Sequence, residues 1–448
     1  AIMRTTWEFE TVDSELRNPT LNWDSPMEMF QDVKGPLSFW DPALGRTGSY
    51  ARCTKAIMQI LDRVCQLYTP KYELIAWDLV PKHGPGAVAD IKRGTDKYAG
   101  LQGWPGKLAE VFSEPYFTDY RADLACPEGD YLRYLNSAGE SPQVGLTLTE
   151  ETPWEIPARL CAVPKTYKGP RLITVEPTAC QYIQQGILRW LRKTFPATCS
   201  TSIDFKRQDL SGDMALAASK GSHLATVDLS AASDRLSLWT VERAFRSPSL
   251  LRALSSSRSS YVEVPAHMRI QREKRVLKLR KYAGMGNATT FPVQSFVYWC
   301  CCVTAVLYDR GLEPTRKNVG QVAKEVRVFG DDLIIPATTV PTLALILDYL
   351  QLKVNVSKTH YQGRFRESCG TDAYDGERVT PFYLRHWELQ EKKSSSVQCW
   401  IDQRNNAYSM GLWSLASWFD EKVPARMRKL IVRSPVEGGF LRNHTFLS

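Results

Sequence analysis

The sequence predicts an α+β protein, and three observations carry that prediction. Short apolar runs of strand length ("LATV", "VRVF", "LIIP") are spread along the chain. Between them lie segments with helical apolar spacing. One apolar run, "FPVQSFVYWCCCVTAVLY" at 291–308, is too long for a single strand and reads as a buried helix. There is no internal repeat and no low-complexity segment.

The elements follow in order. Residues 49–68 place Ile57, Ile60, Leu61, Val64 and Leu67 at helical spacing. "KHGPGAVAD", 82–90, is a loop by its Gly-Pro-Gly centre. "ARLCAVPKTYKGPRLITVEP", 158–177, predicts two strands joined by a basic turn, and the helical "ACQYIQQGILRWLRKTF" follows. "HLATVDLSAASDRLS" predicts a strand ending at Asp228, a polar turn and a helix. The basic stretch 262–284 predicts a β-ribbon. "VRVF" and "LIIP" flank Gly330, Asp331 and Asp332 as two short strands with a tight turn between them. "TVPTLALILDYLQL" is an amphipathic helix, and the last 60 or so residues form a separate Trp-rich lobe.

Bulk properties bound the function. A chain of 448 residues exceeds one small core, and length alone suggests roughly two to four domains. The formal charge of +9 suits a protein that meets a polyanion such as nucleic acid. Eleven cysteines without CxxC or zinc spacing suggest a reducing, cytoplasmic setting. The apolar run 296–308 is too short for a bilayer, which needs about 20 residues. Arg4, Glu8 and Glu10 argue against a signal peptide. No GxxxxGK[ST] loop is present, against an ordinary NTPase.

Asp331 and Asp332 stand side by side between apolar runs. Taken alone, Gly-Asp-Asp is an ordinary hairpin turn. A second reading is a site for a hard cation, Mg²⁺ or Mn²⁺, because paired carboxylates at an apolar hairpin are costly unless solvated or metal-bound. Asp228 is the candidate third carboxylate; it could equally cap the next helix. Asp234 stands six positions further on and suits a polar contact to a substrate. "GMGNATTFP", 284–292, is either a capped loop or a backbone cradle for a sugar–phosphate. Lys165, Lys168 and Arg171 are either a solvated basic turn or a triphosphate clamp. Lys358 is either a surface lysine or a proton donor to a leaving phosphate.

The order of these pieces resembles the palm of viral RNA-directed RNA polymerases. "PKTYKGPR", "VDLSAASD", "MGNATTFPVQS", "FGDD" and "YLQLKVNVSK" look like their motifs F, A, B, C and D. "ATVDLSAASDRLS", "MGNATTF", "HGPGAVAD" and "FRESCGTDAYDGERVTPFY" resemble the replicase β-subunits of single-stranded RNA bacteriophages, the levivirus group. The resemblance covers roughly 82–383 and implies a right-hand polymerase. Fingers and N-terminal region would take 1–215, palm 216–246 and 284–375, a basic fingers insertion 247–283, and thumb or C-terminal lobe 376–448.

It also implies roles. Asp228, Asp331 and Asp332 would be the metal ligands of a two-Mg²⁺ centre, with Asp332 in support. Lys165, Lys168 and Arg171 would line the nucleotide channel, and Lys358 would be the general acid. Asp234, Gly286, Asn287 and Thr290 would surround the ribose. Many RNA polymerases carry asparagine four residues after the motif B threonine; this chain has Gln294. Expected partners are RNA template and product, ribonucleoside triphosphates, host elongation factors Tu and Ts and a ribosomal protein, with no membrane. The expected location is the cytoplasm of a bacterial host. A reverse transcriptase shares palm geometry, but "DLSAASD" and "FRESCG" argue against it. A catalytically dead RNA-binding protein would not need all three aspartates. Trp400, Trp413 and Trp418 lie in the last lobe; core packing is the first reading, and stacking of one of them on an initiating nucleotide in primer-independent starts the second.

Overall fold

A computed structural model of the chain describes residues 2–16, 47–70, 79–91, 97, 103–112, 155–166, 169–199, 202–221, 223–269, 276–384, 388–390, 394–434 and 442–445. The chain divides into two compact units, Ala1–Glu377 and Arg378–Ser448. Helices and mixed sheets give an α+β architecture.

In the first unit, β1 (Ala158–Thr166) and β2 (Gly169–Val175) pair antiparallel across the basic turn. Their register slips between Val163 and Thr166. Pro164 lies inside that slip and cannot donate to the ladder, which accounts for the irregularity. After β2 the chain enters the helix Thr178–Cys199. Its first turn is capped from a distance. Asp90, at the end of the Gly-Pro-Gly loop, accepts hydrogen bonds from the Thr178 amide (3.0 Å) and hydroxyl (2.7 Å).

The chain then builds β3 (Leu224–Val227) and β4 (Leu229–Ser230). Asp228 falls between the two, so the strand ends one residue before the position predicted from the sequence. The basic stretch forms β5 (Tyr261–Glu263) and β6 (Val276–Lys278), paired antiparallel as expected. β5 also pairs parallel with β1, so the ribbon extends one sheet of order β2-β1-β5-β6.

The central sheet has the order β3-β8-β7, with β7 at Arg327–Phe329 and β8 at Asp332–Pro336. Strand alternation decides its two faces. Ala225, Val227, Leu333 and Ile335 join the main core. Leu224 and Ile334 pack instead with Ala218 of the helix Asp209–Gly221. Burial on both faces explains why these strands read as continuous apolar runs.

The helix Thr290–Asp309 fills the main core. Cys300, Cys301 and Cys302 are all fully buried, consistent with cysteine acting as a small hydrophobe. Phe296 stacks on Phe195 at 5.1 Å, and Trp299 meets Tyr68 at 5.1 Å. Each such buried aromatic contributes on the order of 2 kcal/mol by burial alone. The helix is 20 residues long, longer than the apolar run that predicts it, and 94% of its most apolar window is buried in the fold.

The β7–β8 hairpin closes through Gly330 and Asp331, with Phe329 opposite Asp332. Gly330 adopts φ +67°, the left-handed value that the first central residue of a II′ turn requires. A Cβ there would lie 2.6 Å from Phe291 Cε2. The Gly330 amide also donates to Ser295 Oγ at 3.1 Å, so the turn is docked on the core helix.

The chain continues through the helix Val340–Tyr349, β9 (Lys353–Val354) and the hairpin of β10 (Phe365–Ser368) and β11 (Thr371–Tyr374). The second unit contains the helices Ser394–Ser409 and Trp413–Lys422. Trp400 is buried there and its indole donates to the Phe419 carbonyl at 3.0 Å. Trp413 is 53% exposed and Trp418 37%; the expectation of core packing holds for Trp400 and fails for Trp413, whose ring only abuts Tyr408 at 4.9 Å.

Gly330→Ala should cost about 1–2 kcal/mol from the left-handed backbone alone, with more from the Phe291 contact. Thermal unfolding checks it; an unchanged melting temperature would contradict the docked-turn account.

Candidate active site

The register of the central sheet assembles the acidic centre. β3 and β8 pair Val227 with Leu333; one further step along the same ladder sets Asp228 beside Asp332. The β7–β8 turn then carries Asp331 at its tip, where it is exposed. Two of the three carboxylates thus follow from strand pairing, and the third from a two-residue turn.

A second ladder reaches Asp228 from the other side. β4 and β9 pair Leu229 with Val354. The next step aligns Asp228 with Asn355, whose amide donates to the Asp228 carbonyl at 2.8 Å. The Asn355 side chain donates through Nδ2 to Asp228 Oδ2 at 2.7 Å. Val356–Lys358 then bulges as a short 3₁₀ turn before the chain rejoins β3 at Thr226 and His360. Lys358 is presented by that bulge.

Asp332 has a neutral donor as well. The β10–β11 hairpin turns through Cys369 and Gly370, both with positive φ (51° and 76°). Cys369 Sγ donates to Asp332 Oδ2 at 3.3 Å. Burial, then the Asp332 charge, pushes the Cys369 thiol up to about 12, so it stays a protonated donor at neutral pH.

The gathered charges act on one another. Burial raises the Asp228 pKa, and the Asp331 charge adds to the rise, while the Asn355 hydrogen bond and the Lys358 charge oppose it. Burial also raises Asp332; Cys369 opposes, and Asp331 and Asp228 push further upward. Lys165 is lowered by burial and by Arg171, then by Lys358, while Asp331 and Asp228 pull it back up. Glu367 of β10 is raised by burial and by Asp332. Lys165, Arg171, Lys358 and the three aspartates therefore share one electrostatic neighbourhood. Lys168 lies outside the described residues.

The remaining predicted residues occupy two other places. Asp234 lies in a one-turn helix, Ala232–Arg235, and its Oδ1 accepts from Lys281 Nζ at 2.8 Å. The motif B loop packs on β2. Gly286, at φ +120°, leaves room for the Thr174 carbonyl, which would sit 2.1 Å from a Cβ. Thr290 Oγ1 donates to the Gly284 carbonyl at 3.0 Å. Asn287 Oδ1 accepts from the Thr289 amide at 2.8 Å, while its Nδ2 is buried with no partner. Gln294 Oε1 is likewise buried and unpartnered.

Among the described residues no three His, Cys, Asp or Glu side chains converge as a ready-made metal cluster. The donor chemistry nonetheless fits a hard divalent cation: carboxylate oxygens only, held by neutral donors, with mutual repulsion that a cation would relieve. Sequence reasoning missed Asn355, Cys369 and Glu367. The Gly after Cys369 marks a two-residue hairpin turn, but nothing local says that the turn meets Asp332.

Asp332→Asn should melt at a higher temperature than the parent at neutral pH without divalent cations. A raised carboxyl pKa means the native state holds the proton more tightly than the unfolded chain. The stability so conferred is complete below the unfolded value and lost as pH rises through the folded one. The advantage of the variant should therefore vanish in acid. Equal melting temperatures at neutral pH would contradict it.

Comparison with known proteins agrees with the motif order. The family model described as RNA replicase, beta-chain, matches residues 144–392, more than half of the chain. The RNA-directed RNA polymerase subunit beta of Qbeta virus strain MX1 is 29% identical over 278 residues, 62% of this chain and 43% of that protein. The corresponding subunit of Escherichia virus Qbeta is 32% identical over 255 residues, 57% and 39% of the two chains. The RNA-directed RNA polymerase beta chain of Escherichia phage MS2 is 31% identical over 226 residues, 50% and 37%. The matched stretch spans about two fifths of the length of these relatives. With Asp228, Asp331, Asp332 and the β10–β11 hairpin all inside the matched residues, the chain belongs to the RNA replicase beta-chain family.

Proposed function

We propose that the chain is a template-directed RNA polymerase that copies a phage RNA genome in the cytoplasm of a bacterial host. The observation that carries this is the gathering of Asp228, Asp331 and Asp332 at one end of the β3-β8-β7 sheet, within reach of the Lys165 and Lys358 charges. In this reading the central sheet is the palm (216–246 and 284–375). Residues 1–215 and the ribbon 247–283 are fingers, and 376–448 is the thumb.

Asp228 and Asp331 would hold Mg²⁺ or Mn²⁺, with Asp332 in support. Bound there, the ions would make the 3′-hydroxyl of the growing strand more acidic and neutralise charge on the triphosphate. The protein's own groups do the rest. Lys165 and Arg171, with Lys168, draw the triphosphate toward the carboxylates and offset its charge. Lys358 Nζ donates a proton to the departing pyrophosphate. Asp234, Gly286, Asn287 and Thr290 surround the ribose. Host elongation factors Tu and Ts and a ribosomal protein are the proposed partners, by the resemblance.

Asp331→Asn should abolish primer-free RNA synthesis, assayed with host lysate present, and leave RNA binding intact. Full synthesis by that variant would remove the metal assignment. Lys358→Ala should slow nucleotide addition by about 10²-fold or more, the usual contribution of a positioned general acid. An unchanged rate of nucleotide addition would remove the acid role.

A further inference from the structure

One contact of the helix Ile2–Glu15 with the polymerase motifs is a buried charge. Lys281 is fully buried. A buried ammonium is costly unless it is paired. Lys281 Nζ donates to Asp234 Oδ1 at 2.8 Å, and it stands 3.2 Å from the centroid of the Phe9 ring. The ring therefore covers the ammonium, shields it from water and adds a cation–π attraction.

The helix is fastened around this contact. Asp13 accepts from the Lys281 amide at 3.0 Å and from the Arg280 amide at 3.1 Å. The Arg280 guanidinium donates to the Ser14 carbonyl at 2.9 Å and the Leu16 carbonyl at 3.1 Å. Glu15 pairs with Arg235, the neighbour of Asp234, at 3.0 Å.

Asp234 needs such fastening. The one-turn helix that carries it has no side-chain cap, and a single turn has no stability of its own. Its preceding residue, Ala231, is held at φ 51°. On the inner side, the Tyr298 hydroxyl donates to the Ala232 carbonyl at 2.9 Å and feels both Asp331 and Asp234. Asp234 and Asp331 thus both lie near the Tyr298 side chain. The Asp234 side chain keeps 17% exposure, so part of it remains open to solvent.

We propose that Lys281, capped by Phe9, is a positioning residue that sets the Asp234 carboxylate and thereby the preference for ribonucleotides over deoxynucleotides. This rests on the reading above, that Asp234 meets the incoming ribose. Lys281 takes Oδ1 and leaves Oδ2 to accept from a sugar hydroxyl. The N-terminal helix acts at a distance, through the ring that closes off the ammonium.

The test compares single-nucleotide addition of ATP and dATP on an RNA template–primer hairpin, read as the ratio of kcat/KM values. The proteins are the full chain, Asp234→Asn, Lys281→Met and the double variant. Asp234→Asn should lower the ratio by about tenfold, the value of a hydrogen bond to a charged acceptor. Lys281→Met should lower it by about threefold or more, mainly by raising KM for ATP. The double variant should match Asp234→Asn alone, because the two residues act as one unit. An unchanged ratio in Asp234→Asn would remove the ribose reading and the proposal with it. A changed ratio there, with Lys281→Met unchanged or multiplicative in the double variant, would overturn the Lys281 role alone. If Lys281→Met does not melt cooperatively, Phe9→Leu decides. A lowered ratio restored by Phe9→Tyr supports the clamp, and an unaltered ratio in Phe9→Leu overturns it.

Discussion

The antiparallel register of β3 and β8 is the constraint on which the site depends. By setting Val227 against Leu333, it commits Asp228 and Asp332 to neighbouring positions at the end of an apolar sheet. The two-residue turn then adds Asp331. Like charges are gathered where burial weakens their hydration, and each of the nearby groups answers that cost. The apolar faces that hold the register are the same ones that make Asp228 and Asp332 hard to ionise, so fold stability and local repulsion come from one source.

The compensating groups differ in kind. Asp228 and Asp332 each receive a neutral donor at hydrogen-bond distance, Asn355 and Cys369. Lys165 and Lys358 act on them through space and form no ion pair with either among the described residues. A neutral donor orients a carboxylate without cancelling its charge. A lysine in direct contact would compete with a divalent cation for the same oxygens. Asp234 shows the opposite arrangement, since a fully buried ammonium sits directly on it. That contact suits a carboxylate that fixes a hydroxyl and ill suits a metal ligand. The distinction between motif A's two acids, six residues apart, is thus made by their partners and not by their own chemistry.

Local pattern made much of this legible. The apolar runs "LATV" and "LIIP", the glycine before the paired acids and the basic turn between β1 and β2 are short-range signals, and their elements stand within a residue of where those signals put them. The order of the motifs pointed to the family. What stayed illegible is pairing between distant segments. Asn355 reaches Asp228 through a ladder that nothing in "NVSK" announces. Cys369 meets Asp332 because two hairpin turns converge. The parallel pairing of β1 with β5 joins segments about a hundred residues apart, where no sequence period can register it. Trp413 carries the composition of a core residue, yet more than half of it is exposed; composition ranks burial, but only packing decides it.

The Phe9–Lys281–Asp234 contact crosses a boundary that the comparisons draw. Lys281 and Asp234 lie inside the stretch matched by the family model, and Phe9 lies well before it. A buried lysine facing a carboxylate still needs its far side sealed, because an ammonium open to water on one side would hold its partner loosely. The sealing group can come from any element that presents an apolar or aromatic face, so the requirement fixes the chemistry and not the segment. In this chain the element is the helix Ile2–Glu15, pinned by Asp13 and Glu15 next to the ring it supplies. The polymerase motifs therefore leave one face of their acidic loop unfinished, and an element outside the matched stretch completes it. On the proposal made for Lys281, changes in that helix would reach the Asp234 carboxylate through the Lys281 ammonium.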